Sequence, residues 1–243
     1  MPPRPPAAAH VFVSDLEQLH LDEADARHLS RSLRLRPGEV VTASDGAGGW
    51  RVCRYRGGRD PDGALDPEGP LMQDPAPWPS IAVGFALAKG ERPELATQKL
   101  TEVGVDQIRP IVTSRTVVRW DQERAARNHA RLNRVAREAA MQARRTWLPA
   151  VAPLASFSQA SEELARASPV AMAQAGGRPP ALDYPSMLVG PEGGWAPEEL
   201  DSGLATVGLG EGVLRVETAA IAAGVLLCAL RAAVVAPQSA QSE

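Results

Sequence analysis

Leu188-Val189-Gly190-Pro191-Glu192-Gly193-Gly194 and, about twenty residues later, Leu209-Gly210-Glu211-Gly212-Val213-Leu214-Arg215-Val216-Glu217-Thr218-Ala219 decide how this chain reads. Each is an apolar stretch of strand character that runs into a glycine-rich or polar loop and then towards a helix. Glycine admits positive φ and lets a ligand come close to the backbone. Two such loops at the carboxyl ends of strands are what a small-molecule site in an α/β sheet needs. Neither GxxxxGK[ST] nor a GxGxxG after a strand is present, so a P-loop and an ordinary Rossmann phosphate site are not expected. Glu192 would repel a phosphate and suits a cationic or amine-bearing ligand, of which a sulfonium is one. In the second stretch Arg215, Glu217 and Thr218 crowd the start of an apolar helix. Glu217 and Thr218 are expected either to cap that helix or to meet a ligand there.

Outward from these loops the pattern is strand–helix alternation from Ile81 onward. Strands are predicted at Ile81–Leu87, Gln107–Val112, Pro169–Gln174, Ser186–Gly190 and Ala205–Leu209. Helices are predicted at Glu94–Val103, closed by Gly104, and at Asp121–Arg144, Phe157–Ala167, Pro197–Leu200 and Thr218–Val235. Pro110 demotes its strand to an edge or to a strand with a bulge. Alternation of this kind means an α/β sheet with helices on both faces. The N-terminal part reads differently. Short strands at His10–Val13, Glu39–Ala43 and Trp50–Tyr55, with a helix at Asp22–Ser32, are joined by Gly turns and suggest a small β-barrel-like module. Residues 57–79 are Pro- and Gly-rich, with at most an edge hairpin, and place a domain boundary near 75–79. Residues 1–9 read as a mobile Pro/Ala tail.

The net charge of −3 carries no global nucleic-acid signal, but its distribution does. From Arg115 to Arg145, nine Arg against Asp121, Glu123 and Glu138 leave a local charge of +6. Arg124, Arg127, Arg131 and Arg134 recur at helical spacing and share one face, which can follow a phosphate backbone or simply be solvated. Cys53 and Cys228 show no metal or disulfide spacing, the four His form no HxxxH pair, and no metal is expected. The longest uncharged apolar run, Ala219 to Leu230, has 12 residues and is too short to span a bilayer. A soluble cytoplasmic protein without a membrane partner is the expectation. No GxSxG elbow points to a hydrolase.

At this point the motifs together resemble one family. LVGPEGG followed by LGxxVLRVETA, with Ala88-Lys89-Gly90-Glu91-Arg92 and Gln98-Lys99-Leu100-Thr101-Glu102-Val103-Gly104-Val105 upstream, is similar to the RsmE family, ribosomal RNA small-subunit methyltransferases of the SPOUT superfamily. Glu138-Ala139-Ala140-Met141-Gln142-Ala143-Arg144-Arg145 resembles its EAxxQxxR signature. His28-Leu29 with Leu33-Arg34 and Gly38 resembles its N-terminal pattern. These motifs run in the family's order over nearly the whole chain. Departures fall at Gly212, where the family usually has Arg, at Val216, where it has Thr, and at Met141 in place of a common Glu.

The resemblance implies a PUA-like RNA-binding β-barrel over residues 1–76 and an α/β SPOUT domain with a trefoil knot over residues 77–243. It implies methylation of N3 of one uridine in small-subunit ribosomal RNA, with S-adenosyl-L-methionine held by Leu188, Val189, Gly190, Pro191, Glu192, Gly193, Leu209, Gly210, Val213, Leu214 and Thr218. RNA contacts are expected from Arg34, Lys89, Arg124, Arg127, Arg131, Arg134 and Gln142. Uridine N3 must lose its proton, so a base or a cation that stabilises the uracil anion is needed. Glu138, Arg145, Arg215 and Glu217 are the candidates, the two Arg acting only as donors. The partner is ribosomal RNA or the assembled small subunit, and a homodimer through the C-terminal helix is expected. The competing readings are a SPOUT enzyme acting on another RNA or on a ribose 2′-OH, and a non-catalytic RNA-binding assembly protein.

Overall fold

The computed structural model describes residues 6–57 and 64–236. Residues 1–5 of the expected tail, 58–63 of the Pro/Gly-rich stretch and 237–243 of the expected second domain lie outside the described residues. The chain divides into two compact units. One runs up to Ala76 and also takes Ala140–Leu148; the other takes Pro77–Ala139 and Pro149 onward.

The first unit is built on one mixed sheet. β1 (Ala9–Phe12) lies parallel to β2 (Val40–Ser44), which is antiparallel to β3 (Gly49–Tyr55). Residues 7–9 are not a loose tail: Ala7 and Ala9 are buried, and the Ala8 amide donates to the Val40 carbonyl at 2.7 Å. The helix predicted at Asp22–Ser32 forms as α1 (Glu23–Arg27), capped by the Asp22 carboxylate, and continues as a π-helical turn over His28–Ser32. The expected edge hairpin is instead one interrupted edge strand. β4 (Leu65–Pro67) and β5 (Met72–Gln73) both pair antiparallel with β3, and their registers differ by two residues. The slip falls at Gly69-Pro70, where proline has no amide to give the ladder. Val11, Leu21, Leu29, Val41, Cys53 and Tyr55 are among the side chains that fill this unit's core.

Ala140–Leu148 is stitched into the same unit by polar contacts. The buried Asp74 carboxylate accepts from Trp50 Nε1 at 2.9 Å and from Thr146 Oγ1 at 2.7 Å, so both of its oxygens are satisfied. His10 bridges Thr42 Oγ1 (2.7 Å) and the Arg145 carbonyl (2.9 Å).

The second unit holds a parallel sheet in the order β12-β10-β11-β6-β7-β8. Its strands are β6 (Ala82–Ala86), β7 (Gln107–Val112), β8 (Ala150–Val151), β9 (Ala155–Ser156), β10 (Val170–Arg178), β11 (Ser186–Val189) and β12 (Ala205–Val207). β7 is not an edge. Beyond it β8 pairs with Gln107 and Ile108, β9 pairs with Ile111 and Val112, and the register gains one residue between them. Pro110 sits opposite that gap, which is the bulge reading of the sequence.

Helices α2 (Arg92–Val103), α3 (Gln122–Gln142), α4 (Phe157–Ala165), α5 (Pro197–Leu200) and α6 (Val216–Arg231) complete the fold. Gly104 ends α2 in the left-handed region at φ 105, which a β-carbon would strain. On α3 Leu132, Ala136 and Ala139 are buried, and Ala125 and Val135 beside them are half-buried. The last helix starts two residues earlier than expected and stops at Arg231. That Arg anchors its last turn, donating to the Pro79 carbonyl (3.1 Å), the Gly104 carbonyl (2.7 Å) and the Asp106 carboxylate. α6 packs closely on α2 because position 224 is Gly. A β-carbon there would stand 2.6 Å from Leu100 Cδ2 and 3.0 Å from Val105 Cγ2. Among the described residues no helix is long and apolar enough to cross a membrane.

Candidate functional site

The order β12-β10-β11-β6 puts the ends of β10, β11 and β12 side by side, and their following loops enclose a cavity of about 220 Å³. Val189 to Glu192 form one wall, and Leu209 to Leu214 form another. Trp195 and the Ala173-Gln174-Ala175 segment of β10 close the rest. The walls are mostly apolar side chains and glycine backbone, with the carboxylates of Glu192 and Glu211 as the formal charges. Such a cavity suits a ligand with a flat apolar part and a cationic part.

The loops are held from outside. Gly190 lies against the Trp195 indole so closely that a β-carbon would be 2.9 Å from Cε2. The indole is fixed in turn: Nε1 donates to the Ala173 carbonyl at 2.9 Å, and the ring packs on Phe157 with centroids 5.3 Å apart. Arg115 Nη1 donates to the Gly193 carbonyl at 2.7 Å. The buried Glu199 carboxylate accepts from two backbone amides, Ser114 and Ala196, at 2.8 and 2.9 Å, tying α5 to the segment after β7. Beside it, the Glu198 backbone amide and the Ser114 hydroxyl hold the Glu198 carboxyl below its ordinary value.

Arg92 links the two diagnostic stretches. Its Nη1 is 3.2 Å from Glu192 Oε1, and its Nε is 3.6 Å from Glu217 Oε1. Glu217 is buried, and its other oxygen has no hydrogen-bond partner among the described residues. The capping reading of Glu217 and Thr218 fails. The N-cap is Arg215, it makes no side-chain cap bond, and both residues lie inside the first turn.

Of the residues expected to hold a cofactor, Val189, Gly190, Pro191, Glu192, Leu209, Gly210, Val213 and Leu214 line the cavity. Leu188 is fully buried and points at β6, where its Cδ2 would lie 2.5 Å from a β-carbon on Gly84. Gly193 borders the loop through its carbonyl, and Thr218 is exposed on α6. Among the catalytic candidates, Arg215 follows the wall residue Leu214 and is exposed, and Glu217 is buried in the first turn of α6. Glu138 is exposed on α3, and Arg145 belongs to the first unit. Of the RNA candidates, Lys89, Arg124 and Arg131 line a separate hollow; Arg127 pairs with Glu123, and Arg134 is exposed. Arg34 and Gln142 are exposed in the first unit. Sequence reasoning missed Arg92, Arg115, Trp195 and Ala173–Ala175. Only Trp195, directly after the glycines, carried a local signal. Among the described residues no group of His, Cys, Asp and Glu is placed to hold a metal ion.

The chain is similar to known RNA methyltransferases. The RNA methyltransferase domain family matches residues 75–227, and the RNA methyltransferase PUA domain family matches residues 21–61. Ribosomal RNA small subunit methyltransferase E of Mycobacterium bovis is 33% identical over 219 residues, covering 84% of this chain and 83% of that protein. Its counterpart in Synechocystis is 30% identical over 215 residues, covering 82% and 69%. The crystal structure of the Neisseria gonorrhoeae ribosomal RNA small subunit methyltransferase E, bound to S-adenosyl methionine, has a TM-score of 0.71 at 27% identity and covers 91% of this chain and 97% of that one.

Proposed function

The chain belongs to the ribosomal RNA small subunit methyltransferase E family, and from that premise we propose that it transfers a methyl group from S-adenosylmethionine to N3 of one uridine in small-subunit ribosomal RNA. The observation that carries this reading is the cavity between the loops after β11 and β12. Its residues fit the cofactor: apolar walls and bare glycine backbone for the adenosine, and the Glu192 and Glu211 carboxylates for a cationic end. When bound, the cofactor supplies an electrophilic methyl on a positive sulfur.

The chain's own groups do the rest. Trp195, Leu209 and Leu214 exclude water, and the loops fix the direction of approach, on which in-line transfer depends. Arg215 carries no ion pair among the described residues. It stands beside the wall and stabilises the negative charge that grows on the uracil oxygens as the N3 proton passes to solvent; N3 then takes the methyl from sulfur, which leaves as a neutral thioether. Glu217 holds Arg92, and through it Glu192, so it positions the loops. Glu138, Gln142 and Arg145 belong to α3 and the turn after it, and serve the RNA.

In the same reading the first unit, with Ala140–Leu148 included, forms a PUA-like RNA-binding barrel, supported by the match over residues 21–61. The second unit forms a SPOUT domain knotted around the cofactor loops. The apolar outer face of α6, where Val225 is 42% exposed, is covered by a second copy of the chain. The protein then works in the cytoplasm, where its substrate is.

The test is incubation of small subunits from cells lacking this protein with the enzyme and labelled cofactor, followed by mass spectrometry of the digested RNA. N3-methyluridine at one position is the expected product. A 2′-O-methyl nucleoside would assign the chemistry to ribose, and no incorporation would favour a non-catalytic module. Arg145→Ala is expected to cut methylation and leave cofactor affinity near normal; equal loss of both would remove Arg145 from the RNA set.

A further inference from the structure

The strand end after β6, the turn at Val118–Trp120 and the first half of α3 enclose a second hollow of about 340 Å³, lined by Lys89, Arg119, Trp120, Arg124, Asn128 and Arg131, with Glu94 at its base. Its size is at the lower end of the range for small-ligand pockets, roughly 300–1,000 Å³. The charge in it is not balanced. Glu94 Oε1 is 3.1 Å from Arg131 Nε, which compensates one cation. Lys89 and Arg124 have no side-chain hydrogen bond or ion pair among the described residues. The Arg119 guanidinium meets only the neutral carbonyls of Thr116 and Val118. Three uncompensated positive charges around one concavity hold an anion.

Two further groups say which anion. Trp120 is half-buried, and a π-face beside cations is the means by which proteins hold an unpaired base. The Asn128 amide makes no hydrogen bond among the described residues and offers one edge both donors and an acceptor. A bare phosphate would need neither.

We infer that this hollow holds one unpaired nucleotide of the substrate RNA, its base on Trp120, the base edge on Asn128 and its phosphate among Lys89, Arg119 and Arg124. The inference rests on the reading of the chain as an RNA methyltransferase and adds a contact outside the cofactor cavity. A strand, rather than a free nucleotide, is the source because the cationic face continues beyond the hollow: Arg134, exposed a turn farther along α3, meets the next phosphate.

The test uses the full chain with S-adenosylmethionine present and a fluorescein-labelled single-stranded RNA of about ten nucleotides, read by anisotropy. Trp120→Ala is expected to weaken binding roughly five- to a hundred-fold, the range found when a stacking aromatic is removed. Trp120→Phe keeps the π-face and stays close to wild type. Arg124→Ala lowers the slope of log K against log salt by about 0.7, one phosphate contact on a single strand. Arg166→Ala, on the exposed end of α4, changes neither. Cofactor titration of each variant, unchanged from wild type, shows that the fold is kept. Wild-type affinity for Trp120→Ala, or no RNA binding by the wild type, would overturn the inference. Displacement of the RNA by micromolar uridine monophosphate would overturn the strand assignment in favour of a free nucleotide. Absence of methyl transfer by the wild-type protein speaks to the proposed reaction alone and leaves this binding result standing.

Discussion

Gly190→Ala tests whether the cavity loop after β11 is held by the Trp195 ring. The added β-carbon would lie 2.9, 3.1 and 3.2 Å from Cε2, Cδ2 and Cζ2, whereas ordinary contact begins at 3.4 Å. Gly190 is not among the positive-φ glycines, so the penalty is steric alone. Relief needs a shift of about half an ångström by the loop or the ring. The ring is poorly placed to move, because it is 3% exposed, packed on Phe157 and bonded to the Ala173 carbonyl. Overpacking of this kind costs about 1–3 kcal/mol. For a chain of this length each kcal/mol lowers the melting temperature by roughly 2–4 °C. Trp195 and Ala173 both line the cavity, so the shift also distorts the binding surface. Thermal unfolding and calorimetric titration with S-adenosylmethionine are the assays: a drop of several degrees and at least tenfold weaker binding are expected. Trp195→Phe added to Gly190→Ala should cost less than the two changes summed. Unchanged stability and affinity in Gly190→Ala would refute the argument.

Arg92→Ala leaves the buried Glu217 carboxylate without its cation and frees Glu192. Because Arg92 is 36% exposed, the stability loss is about 1–2 kcal/mol, below that of a fully buried pair, with weaker cofactor binding; chemical denaturation and titration read both. Gly224→Leu forces α6 away from Leu100 and Val105, costing about 1–3 kcal/mol of stability by the same denaturation assay. Burial pushes the Cys53 thiol up to about 11, so it stays protonated at neutral pH; alkylation followed by mass spectrometry should label it only after denaturation.

The α/β half was legible because each of its elements is coded locally. Ile81–Leu87 is a continuous apolar run, Gly104 stops α2, and the arginines and alanines of α3 alternate at helical period. Both loops that line the cavity were legible for a similar reason, as glycine clusters directly after apolar strands. What escaped depends on distant partners. Arg92 meets Glu192 a hundred residues away, and no period or cap announces the pair. Arg115 and Ser114 follow an ordinary strand, and only the folded sheet sets them against Gly193 and α5. The return of Ala140–Leu148 to the first unit was hidden for the same reason. That segment continues the pattern of α3, and its place is fixed by Asp74 and His10, which lie far away in sequence. Helix α6 was read two residues late because Arg215 caps it without a side-chain bond, so the usual Ser, Thr or Asp signal is missing.

The central claim is that the loops after β11 and β12 form the cofactor cavity. A crystal structure of the protein with S-adenosylmethionine tests it most directly. The account expects the ligand between Val189–Glu192 and Leu209–Leu214, against Trp195. Binding anywhere else, or no binding at saturating concentration, would contradict it.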